Sequence, residues 1–359
     1  MSLAALLDSL PIPIIQAPMG GASSPEMALA VSRAGGLGSV AAVAFAPDEI
    51  EAAAAMMRAG TDAPFGMNLL VSAKSMPTAE ALDRALEQLR PWYEAAGVPL
   101  PERPNRFSHD FDAQFEATLR AAPPVASFAF DMISGERIAA LQAAGSYVIG
   151  TANTVAEARA WADAGADGIC AQGMEAGGHR GNFLAEVEAS LVGTLPLVAT
   201  VLAAVDLPVI AAGGIMDGRG VAAALALGAS AAQMGSAFLL SDQAITGPIW
   251  QEAIRKAPDD ATRLTRAFSG RHARGLDNRF MRETRGIEDQ LPPYPIQNRL
   301  TQPLRAAAAK AGDPEMMSLW AGQAVKLAQP GDAGEMVRRW WGEAQAASRA
   351  LAARTAPKT

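Results

Sequence analysis

Residues 205–236 read VDLPVIAAGGIMDGRGVAAALALGASAAQMGS and carry one complete strand–helix–strand unit. Residues 208–212 are short, apolar and contain Val and Ile, as is typical of a buried strand. The Ala-rich stretch Gly218–Ala226 follows with helical character, and Gly228 is placed to end that helix. A second apolar run then begins at Ala231. Because neighbouring parallel strands need a crossover of this kind, the stretch predicts a β–α–β unit of a parallel sheet.

The same pattern of helix end, glycine and strand start recurs in the strings RAGGLGS, QAAGSYV and DAGADGI. The predicted strands are residues 12–19, 37–43, 65–70, 125–130, 147–151, 168–172, 208–212 and 231–236. The predicted helices between them include residues 25–34, 47–58, 136–143, 155–164 and 218–226. Eight strands that alternate with helices predict an α/β fold, a closed (β/α)₈ TIM barrel.

Additions to the barrel are predicted where this rhythm breaks. Residues 1–248 are interpreted as the barrel, with a helical insertion at about 72–122 that includes a helix over 78–90. Residues 249–314 are rich in Arg and Pro without a strand rhythm, and we expect a mostly helical subdomain on the substrate side. Residues 315–359 are predicted to be C-terminal helices that pack back on the barrel.

Amino-acid composition and net charge argue against several classes of function. The chain has 359 residues, of which 50% are hydrophobic, and its net charge is −7. The hydrophobic content suffices for a large core, and the negative charge argues against nucleic-acid binding and against anionic membrane surfaces. Cys170 is the single cysteine, so an intrachain disulfide and a multi-cysteine zinc site are excluded, and no metal is expected. With no basic leader and no apolar span, we expect a cytoplasmic protein, and a homodimer on general grounds.

Glycine clusters follow the seventh and eighth predicted strands, where barrels of this type place their active sites. Gly213 and Gly214 follow the seventh strand, and Gly235 precedes Ser236 at the eighth. Glycine lets backbone N–H groups approach phosphate oxygens, and the N-terminus of the helix Gly218–Ala226 is expected to add a favourable dipole. The clusters predict a phosphate site, with simple tight turns as the alternative, and they do not identify the phosphate compound.

His179 is the strongest candidate for a catalytic residue. Of the three histidines, it alone lies among glycines after a predicted strand, and imidazole can exchange a proton or stabilise an anion near neutral pH. A structurally bonded histidine is the alternative. We expect His109 to be solvated in the insertion, His272 to be structural and Cys170 to be a buried small hydrophobe. The seven arginines between 263 and 285 predict a salt-bridged or dimer-facing surface.

Five strings lie at predicted strand ends: QAPMGG at 16–21, NLL at 68–70, AQGMEAGGHRG at 171–181, AAGGIMDGRG at 211–220 and QMGSAF at 233–238. In this order they resemble class I nitronate monooxygenases, formerly called 2-nitropropane dioxygenases. SGRHARGLDNR, PYPIQN and WAGQ extend the resemblance over nearly the whole chain. Many phosphate-binding barrels share the glycine pair, whereas AQGMEAGGHRG is specific.

The resemblance implies one non-covalent FMN at the barrel mouth. It implies cofactor contacts from Ala17, Pro18, Met19, Asn68, Gln172, Gly177, Gly178, Gly213, Gly214, Gln233, Met234, Gly235 and Ser236. His179 matches the catalytic histidine and, with Tyr294, the substrate site. The implied reaction is oxidative denitrification, in which an alkyl nitronate, such as propionate 3-nitronate, and O₂ give a carbonyl compound and nitrite.

The sequence departs from the family after the PYP string. Where the family has a further tyrosine and a lysine that help to hold the substrate, this chain has Asn298 and Gln302. Loss of a cation there is expected to weaken the attraction for an anionic nitronate. The best substrate of this protein is therefore expected to differ from that of the family.

Three other functions stay open at this point. An FMN-dependent reductase of the same barrel superfamily would use NAD(P)H to reduce a quinone or an enoyl thioester. A flavin-free barrel such as an aldolase or isomerase would be expected to carry a catalytic lysine or glutamate at a strand end. No lysine lies at the end of a predicted strand, which argues against this function. A non-enzymatic flavin-binding protein would have little need of His179.

Overall fold

The computed structural model describes residues 2–72 and 76–356 of the chain. Its strands, in chain order, are β1 (Ile14–Gln16), β2 (Gly38–Ala41), β3 (Phe65–Leu70), β4 (Val125–Ala129), β5 (Tyr147–Ala152), β6 (Gly168–Gln172), β7 (Gly178–His179), β8 (Val209–Ala212), β9 (Ala231–Met234), β10 (Thr262–Thr265) and β11 (Ala273–Leu276). All eight predicted strands are present. Several are shorter than predicted, since the chain leaves the sheet early to form the loops of the site.

The eight predicted strands form one parallel sheet in the order β1-β9-β8-β6-β5-β4-β3-β2. A parallel bridge between Ile15 and Leu37 joins the two ends of that sheet. There the Leu37 N–H donates to the Ile14 carbonyl and the Gln16 N–H to the Leu37 carbonyl, each at 3.0 Å. The sheet is thus closed, and the prediction of a TIM barrel is confirmed.

The helices, in chain order, are α1 (Leu3–Asp8), α2 (Pro25–Arg33), α3 (Pro47–Gly60), α4 (Ala79–Ala95), α5 (Phe111–Ala121), α6 (Gly135–Ala143), α7 (Val155–Asp163), α8 (Thr194–Leu202), α9 (Gly218–Ala226), α10 (Pro248–Lys256), α11 (Arg279–Thr284), α12 (Ile296–Ala311) and α13 (Ala333–Thr355). Helix starts follow the rules of side-chain capping: Ser24, for example, precedes Pro25 and accepts a hydrogen bond from the Met27 N–H. Helix α13 packs against α9 and α2, in the position that an eighth barrel helix would take.

Helix α1, which the sequence patterns did not indicate, lies at the amino-terminal end of the strands. Leu3 and Leu7 are buried in a cluster with the interior side chains of the barrel, among them Ile149 and Ile210. A Cβ at Gly168, the first residue of β6, would lie 2.5 Å from the Leu3 Cδ2 atom. The lower end of the barrel is therefore filled, and its interior opens at the carboxyl ends of the strands.

Two predicted additions differ in detail. Within residues 72–122, α5 packs on α3 and β3 and buries Phe111 and Phe115 in the main core, so it serves as a barrel helix. The inserted helix is α4, which packs on α12. Residues 249–314 hold the antiparallel strands β10 and β11, which pair with β7 in a second sheet. In the described part of the chain, no helix is long and apolar enough to cross a membrane.

Candidate active site

A cavity of about 990 Å³ lies at the carboxyl ends of the barrel strands. Its walls come from the loops after β1, β3, β6, β8 and β9, together with side chains from the 104–109 segment and α12. The position is that of the active site in barrels of this fold, and the volume suits a cofactor or a small molecule.

The residues predicted to bind a cofactor meet at this cavity. It is lined by Ala17, Pro18, Met19, Asn68, Gln172, Gly177, Gly178, Gly213, Gly214, Gln233, Gly235 and Ser236, and also by His179 and Tyr294. Met234 does not line it. Since side chains alternate along a strand, the Met234 side chain points outward and is fully buried in the main core. Its carbonyl accepts from the Ala17 N–H at 2.8 Å, so Met234 supports the cavity wall from behind.

The loop after β8 has the shape of an anion cradle. Gly213 and Gly214 adopt φ angles of 115° and 70°, a left-handed backbone that glycine favours. A Cβ at Gly213 would lie 2.7 Å from the Thr194 Oγ1 atom, and Thr194 donates its N–H to the Glu175 carboxylate at 2.9 Å. The backbone N–H groups of Gly214 and Gly235 have no acceptor among the described residues. These free donors, one in the loop after β8 and one in the loop after β9, fit the phosphate of a mononucleotide such as FMN.

The predicted contribution from the N-terminus of α9 is wrong. The Asp217 carboxylate caps this helix by accepting from the N–H groups of Arg219 and Gly220, at 3.0 and 3.1 Å. The Gly218 N–H donates to the Glu343 carboxylate at 3.0 Å. Because two carboxylates already satisfy this helix start, a phosphate would depend on the glycine loops alone.

His179 is fixed by the second sheet. In β7, Gly178 pairs with Arg274 and His179 pairs with Ala273 of β11. The Nε2 atom of His179 lies 2.9 Å from the Ser269 Oγ atom, and that hydroxyl donates to the Arg271 carbonyl at 2.9 Å. Because the serine proton is used there, Nε2 carries the imidazole proton and donates it to Ser269. The lone pair is then on Nδ1, which has no hydrogen-bond partner among the described residues.

Burial and two nearby cations keep His179 neutral. Desolvation, followed by the charges of Arg271 and Arg305, lowers the pKa of His179 to about 3. The imidazole therefore carries no charge near neutral pH, and its Nδ1 atom is an acceptor. In this setting His179 is suited to proton acceptance and hydrogen bonding.

Aromatic rings enclose His179 on three sides. The ring centroids of Phe130, Trp320 and Tyr294 lie 5.2, 5.5 and 5.8 Å from that of His179. Tyr294 is partly buried, and this burial raises the pKa of its hydroxyl. The rings limit access of water to the imidazole, and Tyr294 also lines the cavity. The predicted contact of Tyr294 with the substrate stays a prediction.

Arg271 stabilises the part of the cavity wall that contains Phe130 and His179. Its guanidinium lies 4.2 Å over the Phe130 ring and donates to the carbonyls of Phe130 and Arg180, at 3.2 and 3.0 Å. Phe130 has a φ angle of 83°, a strained value for a residue with a side chain that is often found at functional sites. Arg271 thus stabilises both the strained end of β4 and the loop that carries His179.

The Gln172 side chain holds the same loop. Its Nε2 group donates to the His179 carbonyl at 3.2 Å, and its Oε1 atom accepts from the Gly181 N–H at 3.0 Å. Asn153 donates to the same oxygen at 2.9 Å. Gln172 lines the cavity as predicted, but its polar atoms are used to position His179.

The mouth of the cavity is formed by the 104–109 segment and by α12. His109 lines it beside Arg106, with 2.6 Å between the His109 Nδ1 and Arg106 Nη2 atoms in an exposed contact. Asn298 and Gln302 also line the cavity, as the comparison with the family suggested. Arg305, one turn beyond Gln302, lines it too.

The basic segment divides into two groups. Arg279 and Arg282 form the exposed ion pairs that were expected, with Asp313 and Glu315 among their partners. Arg274, by contrast, is buried and donates to the Met174 carbonyl at 3.0 Å. Arg271 is likewise part of the site, so the interpretation of the whole segment as surface was wrong.

Two simpler predictions concern Cys170 and metals. Cys170 is buried, and desolvation raises the pKa of its thiol to about 12, so it is inert as a nucleophile at neutral pH. Among residues 2–72 and 76–356, no group of three or more His, Cys, Asp or Glu side chains could hold a metal ion.

With this geometry in place, similarity to known proteins identifies the family. Residues 4–341 match the family described as Nitronate monooxygenase. The chain belongs to the nitronate monooxygenase family. A probable nitronate monooxygenase of Staphylococcus aureus (strain Newman) is 40% identical over 321 residues, which is 89% of this chain and 90% of that protein. The chain is accordingly an enzyme of this family.

Solved structures show the same relationship. A nitroalkane oxidase from Streptomyces ansochromogenes superposes with a TM-score of 0.88 at 43% identity, over 97% of this chain and 99% of that one. FabK from Thermotoga maritima gives a TM-score of 0.76 at 31% identity, over 98% of each chain. This chain therefore shares the barrel and its additions with both the nitroalkane oxidase and FabK.

Proposed function

We propose that the protein is an FMN-dependent nitronate monooxygenase, which converts an alkyl nitronate and O₂ into a carbonyl compound and nitrite. The observation that carries the proposal is the setting of His179. A neutral imidazole, oriented through Ser269, faces a cavity whose glycine loops leave backbone N–H groups without acceptors. Membership in the family supports the same reaction.

The residues present fit FMN. The N–H groups of Gly214 and Gly235 would hold its phosphate, and the strand-end residues Ala17, Pro18 and Met19 would lie along the isoalloxazine. Asn68 donates its side-chain amide to the Ser127 carbonyl at 3.0 Å, which fixes it at the cavity wall as a further contact. When bound, FMN supplies the electron-accepting and oxygen-dependent chemistry that no side chain of this site provides.

His179 would act at its Nδ1 atom. A neutral nitroalkane must lose its α-proton to become a nitronate, and Nδ1 can accept that proton while Nε2 stays bonded to Ser269. A preformed nitronate needs no base, so for it His179 would only orient the anion. The three surrounding rings exclude water from the proton while it is held.

The first test is the cofactor. We expect purified protein to be yellow and to release FMN, rather than FAD, on denaturation, because the cavity has one phosphate cradle. Oxygen uptake and nitrite release would then be measured with propionate 3-nitronate and with simple alkyl nitronates. A colourless protein that cannot be reconstituted with FMN would contradict the proposal, as would an FMN protein that turns over no nitronate.

A second candidate function is an FMN-dependent reductase that uses NAD(P)H, since the same barrel with its additions also occurs in FabK, a protein of another name. The two are separated by adding NADH or NADPH to the flavin-loaded protein under anaerobic conditions. A monooxygenase of this family is expected to keep its oxidised flavin spectrum. Rapid bleaching, with nitronates inactive, would favour a reductase of a quinone or an enoyl thioester.

A further inference from the structure

The charged side chains that line the cavity are all positive. Among its described lining residues are Arg106, Arg299 and Arg305, and there is no aspartate or glutamate. The chain as a whole has a net charge of −7, so this distribution is opposite to the overall composition. A concave wall with charges of one sign attracts ligands of the other sign.

Arg305 is the innermost of the three. It lies on α12, and it is close enough to His179 for its charge to lower the pKa of that imidazole. Its side chain is desolvated, which lowers the pKa of Arg305 itself to about 10, so it remains a cation at neutral pH. It makes no ion pair with any described residue.

Hydrogen bonds fix the Arg305 guanidinium without neutralising it. Nη2 donates to the carbonyl and the Oδ1 atom of Asn298, at 2.7 and 3.0 Å, and Nη1 donates to the Ser318 Oγ atom at 3.2 Å. The Nε–H group is buried without a partner. All of these acceptors are neutral. A half-buried cation that is oriented but has no counter-ion is unusual, and an anionic ligand would supply the missing charge.

Arg299 and Arg106 lie further out, at the rim. Both are exposed, and neither forms an ion pair within the described residues. Arg299 donates to the Gln302 Oε1 atom, and Arg106 donates to the Ser108 carbonyl at 2.9 Å. The three cations therefore lie from the solvent inward to His179, along the two elements that form the mouth.

We propose that Arg305 is the core of an anion subsite, which binds a second negatively charged group of the substrate while the reacting carbon lies at His179. This inference rests on the proposed function and specifies the residue that selects the substrate. Arg305 lies one helical turn beyond Gln302 on α12, and both residues line the cavity. Arg299 and Arg106 guide the anion inward. The group recognised is a carboxylate or another compact anion.

The subsite is tested by comparing two nitronates that differ in one charge, propionate 3-nitronate and propyl 1-nitronate. In Arg305→Gln, we expect the ratio of their kcat/KM values to fall at least about tenfold, because a charge-assisted contact is lost only for the carboxylate. Arg305→Lys should retain part of the preference. Lys310→Gln removes a positive charge from the same helix, away from the cavity, and should leave the ratio as in the parent protein. An unchanged ratio in Arg305→Gln would overturn the proposal.

A binding measurement separates this inference from the proposed reaction. Succinate, which is not oxidised, would be titrated against each flavin-loaded variant and followed by the flavin absorbance. We expect succinate to bind the parent protein and Lys310→Gln at least about tenfold more tightly than Arg305→Gln. If no nitronate is turned over but this difference is found, the reaction is wrong and the subsite stands. Equal succinate affinity, with flavin retention and melting temperature preserved, would refute the subsite alone. If Arg305→Gln does not fold, Arg305→Met, which keeps an unbranched apolar side chain without the charge, takes its place, with the same expected and contradicting results in both measurements.

Discussion

Replacement of His179 by asparagine tests the central chemical role in this site. Asparagine can still donate a hydrogen bond near Ser269, so we expect the variant to fold and to retain FMN. It cannot accept a proton at Nδ1. A positioned general base contributes about 10²–10⁴-fold to a proton transfer, so turnover of a neutral nitroalkane should fall by about this factor. Turnover of the preformed nitronate should fall much less.

The pH dependence of nitroalkane kcat/KM in the parent protein gives a second quantity that tests the role of His179. With its pKa lowered to about 3, His179 remains almost entirely neutral at pH 5. A histidine with the ordinary pKa of 6.5 would be only about 3% neutral at that pH, which would lower the rate about thirtyfold between pH 8 and pH 5. We therefore expect no loss of nitroalkane kcat/KM that follows a pKa near 6.5.

The assay is oxygen uptake with nitroethane and with freshly prepared ethylnitronate, from pH 5 to pH 8, on protein whose FMN content is checked by absorbance. Two results would refute the reasoning. The first is an equal fall for both substrates in His179→Asn, since this would mean that His179 acts by position alone. The second is a thirtyfold decline in the parent protein with a midpoint near 6.5, because the imidazole would then be protonated far more easily than the structure implies.

Three further predictions use matched controls or a defined sign. Gly214→Val should lose FMN during gel filtration, because it places a branched side chain in the phosphate cradle. The control Gly97→Val, at a similar φ of 63° but with no neighbour within 4 Å, should keep FMN. Equal retention of FMN by the two variants would show that Gly214 is not part of the phosphate site. Ser269→Ala should lower nitroalkane turnover about tenfold with FMN content unchanged, since it frees the His179 tautomer, and unchanged turnover would show that Ser269 does not orient the ring. The pKa of His179 is lower in the folded state than its ordinary 6.5, so the unfolded chain takes up the proton first and stability is lost as pH falls below 6.5. By pH 5 His179 contributes a loss of up to about 2 kcal/mol, measured by urea unfolding, and the total loss should be smaller by this amount in His179→Asn. A loss of equal size in both proteins would contradict the lowered pKa of His179.

The barrel could be predicted from the sequence because each of its signals is local. A buried parallel strand is a short apolar run, and a glycine such as Gly228 ends the preceding helix before the next strand begins. Eight apolar runs alternate with helices, and the helix-end glycine precedes four of them, so the alternation can be recognised without tertiary information. The strand ends then place Gly214, His179 and Ser236 at one mouth by geometry alone.

The rest of the site could not be predicted because it depends on tertiary pairing. Strand β7 has two residues, too few for any periodicity, and it is a strand only because β11 lies beside it. Arg305 belongs to no sequence motif. Its role depends on which side of α12 faces the cavity. Phe130 could have been noticed as the last residue of a predicted strand, but its strained backbone depends on Arg271, which is 141 positions away in the chain.

The cations of the cavity connect binding to catalysis. Burial, together with the charges of Arg271 and Arg305, keeps His179 neutral and makes its proton uptake unfavourable. An anion bound at Arg305 would compensate one of these charges, so the pKa of His179 should rise when the subsite is filled. The base would then be strongest when an anionic substrate is present and weak otherwise. Titration of the His179 ring signals by NMR, with and without succinate, measures this directly. An upward shift in the parent protein that is absent in Arg305→Gln is the expected result, and identical titrations with and without succinate in the parent would show that Arg305 and His179 act independently.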